Sequence, residues 1–399
     1  MKIKTPPFFM ETGLIFVFLS TQIANIYRLY MGKPSEIASY VLLIGLVLMM
    51  NKDNKISINK KQCFLLVYQF YTLFLAVWAK TPLMRGTTGS IYILFIVMLI
   101  FVSATIKQID GDRFVFLMWL ITGILNTLIS AYFIREGIEQ FNSYFIGDVM
   151  LADRSVLATV GYFHILAMIT YQTKNKFLHL LKAPLIVAAL YNIVITMRRG
   201  MFVTLAIILL LHLYLMAKVN INAKVLFRSI LIVIVLYILY LKVPYVHLQV
   251  DKMLDSANNA LNTLLGKKVG SEDLAAAIRV QNRNLALDDM KKFSVINWLF
   301  GKGYNAKWID FPFLQCFYDM GILGGLFYIA TQLLPFCFFA EHRRNMQNHE
   351  KLLFYLFIIS FVNNFYSGIP YGMGKFMYIV PLLANWENSR KTKSAAGQE

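Results

Sequence analysis

The sequence predicts an all-α, polytopic integral membrane protein, and three observations predict it. The chain of 399 residues is 58% hydrophobic, with a mean hydropathy of +0.57. Only 15% of its residues are charged, against about one quarter in soluble domains. Apolar runs of about 17 to 25 residues recur along it, the length a helix needs to cross roughly 30 Å of hydrocarbon. These runs are continuous rather than alternating, and about twice as long as a spanning strand, which excludes a β-barrel.

About twelve such runs are present. The first four are Phe8 to Arg28, Ser35 to Met50, Gln62 to Ala79 and Ser90 to Ile106. Glu11 interrupts the first and no small-residue cleavage pattern follows, so this run is expected to stay as a span rather than leave as a signal peptide. A short "DGD" connection, Asp110 to Asp112, leads into the fifth, Phe114 to Phe133. Its acid-x-acid pair is similar to the metal and nucleotide-sugar motif of many cytoplasmic glycosyltransferases. A connection of a few residues leaves no room for a nucleotide-binding domain, however, and the pair reads as a solvated turn. The next four runs are Ser155 to Thr173, Leu180 to Met197, Gly200 to Ala217 and Val225 to Val243; the last three are Phe311 to Ala340, Leu352 to Ile369 and Tyr371 to Trp386. Within the tenth, Gly321 and Gly325 form a small-xxx-small pair beside Gly324, expected to let two helices approach closely.

The whole chain, 1–399, therefore reads as a single transmembrane bundle. Most connections are short, but residues 134–154 and the segment 244–310, between the ninth and tenth spans, are not. Long loops in compact proteins are usually functional or disordered, and the second carries helical patterns at 251–266 and 271–300. Ser271 offers an N-cap with Glu272 and Asp273 in the first turn. Ala286, Met290 and Phe293 recur at i, i+4 and i+7 as one apolar face. Arg279 and Arg283, four apart, share a face.

Lysine and arginine in short loops are retained on the cytoplasmic side. With the N-terminus inside, the inner connections hold 20 of the 39 basic residues and the short outer ones nine, with ten in the long outer segment. Both termini are thus expected in the cytoplasm. The net charge of +18 needs no nucleic acid to explain it; anionic membrane lipids are the natural partner. Cys63, Cys316 and Cys337 lie in or beside spans and make neither a disulfide framework nor a zinc site.

Chemistry-bearing motifs of soluble enzymes are missing: there is no Walker loop, GxSxG elbow, HExxH or CxxC pair. No cofactor and no metal is expected. His164 and His212 fall in spans without a clear partner and His247 stands alone in the large loop, which suits packing or solvation better than catalysis. The outer face is marked by arginine. Arg198 and Arg199, in "TMRRGMF", occupy a tight outer turn where basic residues are unwelcome, and a costly placement asks for a reason. Their planar forks match phosphate oxygens. Arg283, with Arg279 beside it, would complete an anion site if the long segment folds back over the bundle, and Arg135 and Arg154 mark the other outer loop. For each, the alternative is a side chain that snorkels to headgroups or lies in solvent. Asp310 stands where the long segment re-enters the membrane, a partly desolvated position that suits a general base; a helix N-cap is its competing role.

The stretch "FGKGYNAKWIDFPFLQCFYDMGILGG", residues 300–325, concentrates Lys302, Lys307, Asp310 and Asp319 in a chain that otherwise avoids charge. Arg283, then Gly301-x-Gly303 eighteen residues later, then Asp310, Leu314-Gln315 and Gly321-x-x-Gly324 resemble the C-terminal signature of the O-antigen polymerase (Wzy) and O-antigen ligase superfamily. The likeness extends to the "MRRG" turn and to the plan of spans with one large late loop; the first 130 or so residues match only as generic membrane helices.

That resemblance implies a metal-independent glycosyltransferase at the periplasmic face of the bacterial inner membrane. Its donor and acceptor would be undecaprenyl-pyrophosphate-linked oligosaccharides, and a further protein partner would set chain length. It assigns Arg199 and Arg283, with Arg198 and Arg279, to the pyrophosphate, Asp310 to the acceptor hydroxyl, and Lys302 and Tyr304 to sugar. Arg135 and Arg154 join the substrate-binding set. Ligases carry a histidine four residues before the leucine of the Leu-Gln pair; Asp310 stands there instead, which favours polymerase. A lipid-linked oligosaccharide flippase or other transporter is the rival from another class, and a scaffold without turnover the third.

Overall fold

The computed structural model describes residues 8–50, 58–78, 88–103, 109–141, 143–146, 149–173, 175–196, 199–217, 274–343, 345–365, 368–384 and 386, with isolated residues between 241 and 258. The first five helices are α1 (Phe8–Met31), α2 (Ile37–Met49), α3 (Lys60–Trp78), α4 (Thr88–Ser103) and α5 (Gly111–Arg135). A hairpin follows, β1 (Tyr144–Ile146) antiparallel to β2 (Val149–Ala152). Then come α6 (Arg154–Thr170), α7 (Lys176–Thr196), α8 (Arg199–Ala217), α9 (Leu274–Met290), α10 (Val295–Phe300), α11 (Pro312–His342) and α12 (Asn348–Asn363). A 3-10 turn, Met373–Lys375, precedes a last helical stretch at 379–384.

The protein is all-α apart from that hairpin among its described residues. Among the described residues, four helices are long and apolar enough to cross a membrane: Phe9–Met31, Gly111–Arg135, Lys176–Thr196 and Pro312–His342. The predicted ninth run, Val225 to Val243, lies almost wholly outside the described residues, as do the helix expected at 251–266 and the Ser271 cap. The twelfth run needs correction. Residues 371–378 form turns and a 3-10 helix, and α-helix starts only at 379, because Gly372 and Gly374 divide the apolar run. The hairpin was legible in principle, since two short apolar strands flank Gly147-Asp148 in the sequence.

Packing buries an apolar core threaded by polar groups and leaves further large apolar side chains outside. Helix α12 is buried all round, Leu352 through Ile359 each at most 6% exposed, and α5, α6, α8 and α11 pack around it. Leu43, Ile44 and Val47 of α2, Phe177, Leu180 and Val187 of α7, and Leu210 and Leu213 of α8 are exposed. Between α5, α6 and α7, Asn192 Nδ2 donates to Asn126 Oδ1 (2.9 Å) and to the Leu157 carbonyl (2.9 Å), while Asn126 Nδ2 reaches the Val160 carbonyl (3.1 Å). Such interhelical bonds act as glue where water is excluded. The histidines also find partners. His164 Nδ1 sits 3.2 Å from Thr122 Oγ1, His212 Nδ1 sits 2.9 Å from Tyr355 Oη, and His247 pairs with Asp251 at 3.2 Å. The expectation that His164 and His212 lack a clear partner and that His247 stands alone is thereby corrected.

The bundle has two distinct ends. At one, Glu11 Oε1 accepts from the Asp110 N–H (2.9 Å), Asp110 caps α5 by accepting from the Asp112 and Arg113 N–H groups, and His349 lies against Gly111. "DGD" is therefore a helix cap with a structural anchor rather than a free turn. Trp386 Nε1 donates to Glu341 (2.8 Å) near the same end. At the other end, α1 finishes beside the hairpin, where Asn25 Oδ1 accepts from the Asp153 N–H (2.7 Å), and Phe141 donates its N–H to the carbonyl of Ile195 at the close of α7. Helix α12 starts at the first end, where His349 lies, and Asp310 accepts from the Gly368 N–H just beyond its other end (2.7 Å), so Asp310 lies toward the second end.

Helix α11 is broken. Gly321 has φ +67° and ψ −169°, which divides it into 312–320 and 322–342. Gly321 was expected as half of a helix-crossing pair; it is instead the site where the end of α10 and residues 301–303 dock. Lys302 N–H donates to the Tyr318 carbonyl (2.9 Å) and Gly303 N–H to the Asp319 carbonyl (2.9 Å). Tyr71 Oη donates to the Met320 carbonyl (3.1 Å). A Cβ on Gly301 would collide with the Asp319 carbonyl, and one on Gly321 with that of Leu299. Gly301→Ala should therefore lower stability by about 2 kcal/mol or more, from left-handed backbone plus collision. Gly374→Ala, where a Cβ meets nothing within 4 Å, should leave the thermal unfolding of the detergent-solubilised protein unchanged.

Candidate functional site

The segment from α9 to the start of α11 folds as one unit. Arg279, Arg283, Ala286 and Met290 follow one another at helical spacing, so a single stripe of α9 carries two cations and then two apolar side chains. The apolar part is anchored: Ala286, Met290 and Phe293 are buried with Ile309 and Tyr318, with Phe311, Leu314 and Phe317 packed against them. Lys307 Nζ pairs with Asp289 Oδ2 (2.8 Å), and Tyr318 Oη donates to the same oxygen (3.3 Å). Lys307 and its neighbouring hydrogen bond hold the Asp289 carboxyl below the usual carboxylate range. After α9, Ser294 caps α10 by accepting from the Asn297 N–H, and Gly301 (φ +78°) ends it.

Residues 304–310 are then held from inside by the first half of α11. Gln315 and Asp319, one turn apart, are both fully buried. Asp319 Oδ1 accepts from the Ala306 N–H (3.1 Å), and Asp319 Oδ2 from Gln315 Nε2 (3.2 Å) and from Tyr371 Oη. Tyr371 Oη accepts from the Asn305 N–H (2.9 Å). Gln315 Nε2 also reaches Asn305 Oδ1 (3.3 Å). Tyr304 is only 4% exposed, its ring 4.2 Å from that of Tyr371. Burial, with the Asp319 carboxylate beyond it, pushes the Tyr304 hydroxyl well above its ordinary pKa. The Leu-Gln pair and the buried acid thus fix the loop that ends in Asp310.

Asp310 itself adopts φ +57°, rare outside glycine and tolerated best by Asn and Asp. Its Oδ2 accepts from Arg279 Nε (2.8 Å) and its Oδ1 from the Gly368 N–H (2.7 Å). The carboxylate ties α9 to the turn after α12, with 18% of the side chain still exposed and 38% of Arg279. It is not a cap: the N-cap of α11 is Phe311, with Pro312 in the first turn. Arg283, a turn along from Arg279, is half-buried and has no ion-pair partner among the described residues.

On the far side of the Gly368 turn lies Lys375, 8% exposed, its Nζ 3.5 Å from the Ser360 carbonyl and 3.9 Å from where a Cβ on Gly368 would stand. Sequence reading placed Lys375 merely among outer basic residues and gave Gln315, Asp319 and Tyr371 no role in the site. A carboxylate and an amide four residues apart in an apolar run are costly there, and that cost was the available signal.

Of the remaining predicted residues, Arg135, Arg154 and Arg199 stand at helix ends on the same end of the bundle. Arg135 closes α5, pairs with Glu136 (2.8 Å) and lies over the rings of Tyr30 and Tyr132. Arg154 opens α6, donating its N–H to Ser143 Oγ (3.2 Å). Arg199 opens α8, and Arg198 lies outside the described residues. Lys302 is exposed, its Nζ 5.3 Å from the Phe293 ring. Among the described residues no group of three or more His, Cys, Asp or Glu gathers as a metal site. No protein-family model matches the chain, and no curated protein matches it either.

The Asp289 pair gives a pH dependence of known sign. A depressed carboxyl contributes stability above its unfolded pKa, about 3.9, and loses it as pH falls through the lower folded value. Amide exchange in residues 304–309 should accelerate on acidification through that range, and Lys307→Met should remove this step.

Proposed function

We propose that the chain is a surface-polysaccharide polymerase of the O-antigen polymerase type, lying in a bacterial inner membrane with about twelve spans, both termini cytoplasmic and the Asp310 end periplasmic. The observation that carries the reading is the Asp310–Arg279 pair at 2.8 Å with Arg283 a helical turn away. One acid and one guanidinium group are in contact, and Arg283, with no ion-pair partner among the described residues, stands one helical turn from Arg279.

The reaction needs that combination. A hydroxyl of the new lipid-linked repeat attacks the anomeric carbon of the donor glycan's reducing-end sugar. The bond from that carbon to the pyrophosphate oxygen breaks, and undecaprenyl pyrophosphate leaves with the electron pair. Charge builds on the leaving oxygen, where preplaced guanidinium groups lower the barrier. The hydroxyl proton passes to Asp310, whose position is fixed by Arg279 and Gly368. Arg283 holds the pyrophosphate, Arg279 holds both the acid and the edge of the phosphate, and Lys375 adds positive potential from behind. Arg199, Arg135 and Arg154 stand at helix ends of the same end of the bundle and, with Arg198 beside Arg199 in the sequence, are assigned to the second lipid-linked substrate. Lys302 remains placed for sugar, while Tyr304 serves by packing.

A transporter is the second reading, and one observation favours it: transporters use broken helices, and α11 is broken at Gly321 beside buried Asp319. The cations, however, gather at the end of the bundle rather than at its middle. Asp310→Asn keeps the left-handed backbone accessible and removes the proton acceptor. It should cut glycan elongation by about 10²-fold or more, and Arg283→Ala should shorten the polymer, each with normal membrane insertion. Proteoliposomes loaded with lipid-linked repeat read the choice: elongated glycan supports polymerisation, whereas unchanged substrate appearing on the opposite face supports transport.

A further inference from the structure

Helix α10, "VINWLF", buries none of its residues. Val295 is 76% exposed and Ile296 70%, and Trp298, Leu299 and Phe300 are each exposed by 39% or more. Trp308, two residues before Asp310, is 50% exposed. Five apolar side chains on a six-residue helix form a patch that water does not tolerate well. Lysines bracket it: Lys291 and Lys292 precede α10, Lys302 follows it, and all three are exposed. Lys291 is paired with Asp288, and the Lys302 ammonium lies 5.3 Å from the Phe293 ring.

The break in α11 sets the level at which this patch lies. Its second half, residues 322–342, is about 21 residues or ~31 Å of helix, matching the roughly 30 Å hydrocarbon thickness of a bilayer. Beyond the break Ile322, Leu323 and Leu326 are exposed, whereas before it Pro312, Gln315, Cys316 and Tyr318 are buried. The lipid-type surface of α11 therefore begins at Gly321. The end of α10 docks at that same residue, with the Leu299 carbonyl against Gly321 and Lys302 bonded to Tyr318.

We infer that α10 is an interfacial helix whose apolar side chains lie among the acyl chains of the outer leaflet, with Lys292 and Lys302 on anionic headgroups. Tryptophan and lysine flanking a short apolar stretch are the composition such a position selects. The inference rests on the membrane reading of the long apolar helices and not on polymerisation.

The test uses the full-length protein with Cys63 and Cys337 replaced by alanine and an environment-sensitive fluorophore on Ile296→Cys or, separately, Val295→Cys. Each is reconstituted in phosphatidylcholine vesicles with and without phosphatidylglycerol. Lipids brominated near the headgroup should quench both labels several-fold more than a label on Lys292→Cys, and aqueous iodide should quench them weakly. Adding phosphatidylglycerol should deepen the Ile296 label, and Lys292→Gln should reduce that response. Strong iodide quenching without bromolipid quenching would place α10 in water. Protection from both quenchers would mean that a second copy or another protein covers it. Either outcome overturns the inference.

Discussion

Three backbone carbonyls at the break in α11 organise this end of the molecule. Gly321 interrupts the helix, and the carbonyls of Tyr318, Asp319 and Met320 lose their helical partners. They regain donors from Lys302, Gly303 and Tyr71. In surroundings without water, each unsatisfied group would cost several kcal/mol. The Gly-x-Gly segment and the broken helix therefore require one another: the first supplies N–H groups at close range, and the second leaves room for a backbone without Cβ.

From that docking the rest follows in order. Once 299–303 is fixed, Gln315, Asp319 and Tyr371 clamp residues 305–309 from within, and Asp310 emerges at one place and in one conformation. The two carboxylates thus divide the work. Asp319 faces inward and holds a loop; Asp310 faces outward and meets Arg279. Because the arginines of α9 lie on the same stripe that anchors Ala286 and Met290, packing on α11 also sets where the guanidinium groups stand. At the break the first half of α11 folds back along the second, with Cys316 Sγ on the Gly324 carbonyl (3.4 Å) and the Phe313 ring 5.8 Å from that of Tyr328.

Much of this was legible in the sequence, and the failures have physical causes. Ten of the twelve apolar runs gave helices within several residues of those found, the ninth lying almost wholly outside the described residues and the twelfth turning helical only at 379, and the i, i+4, i+7 face of Ala286, Met290 and Phe293 is buried as its period requires. The Arg279 and Arg283 spacing placed both on one side. Periodicity is blind to what satisfies a freed carbonyl, however, so Gly321 read as a helix-crossing position rather than a break. It is equally blind to partners distant in sequence: the bond from Gly368 to Asp310 spans 58 residues, and Lys375 reaches the same turn from a 3-10 helix inside an apolar run. Short strands in a polar loop carry too little periodicity to compete with the surrounding helices, and the hairpin at 144–152 went unseen.

The docking of Lys302 and Gly303 on the broken helix is most directly read by amide hydrogen exchange of the full-length protein in lipid nanodiscs. Those two amides should exchange as slowly as the buried core of α12, because their donors are engaged inside the protein. Exchange at the rate of a solvated loop would mean that the segment is not docked, and neither Asp310 nor its arginine partners would then be held where this structure puts them.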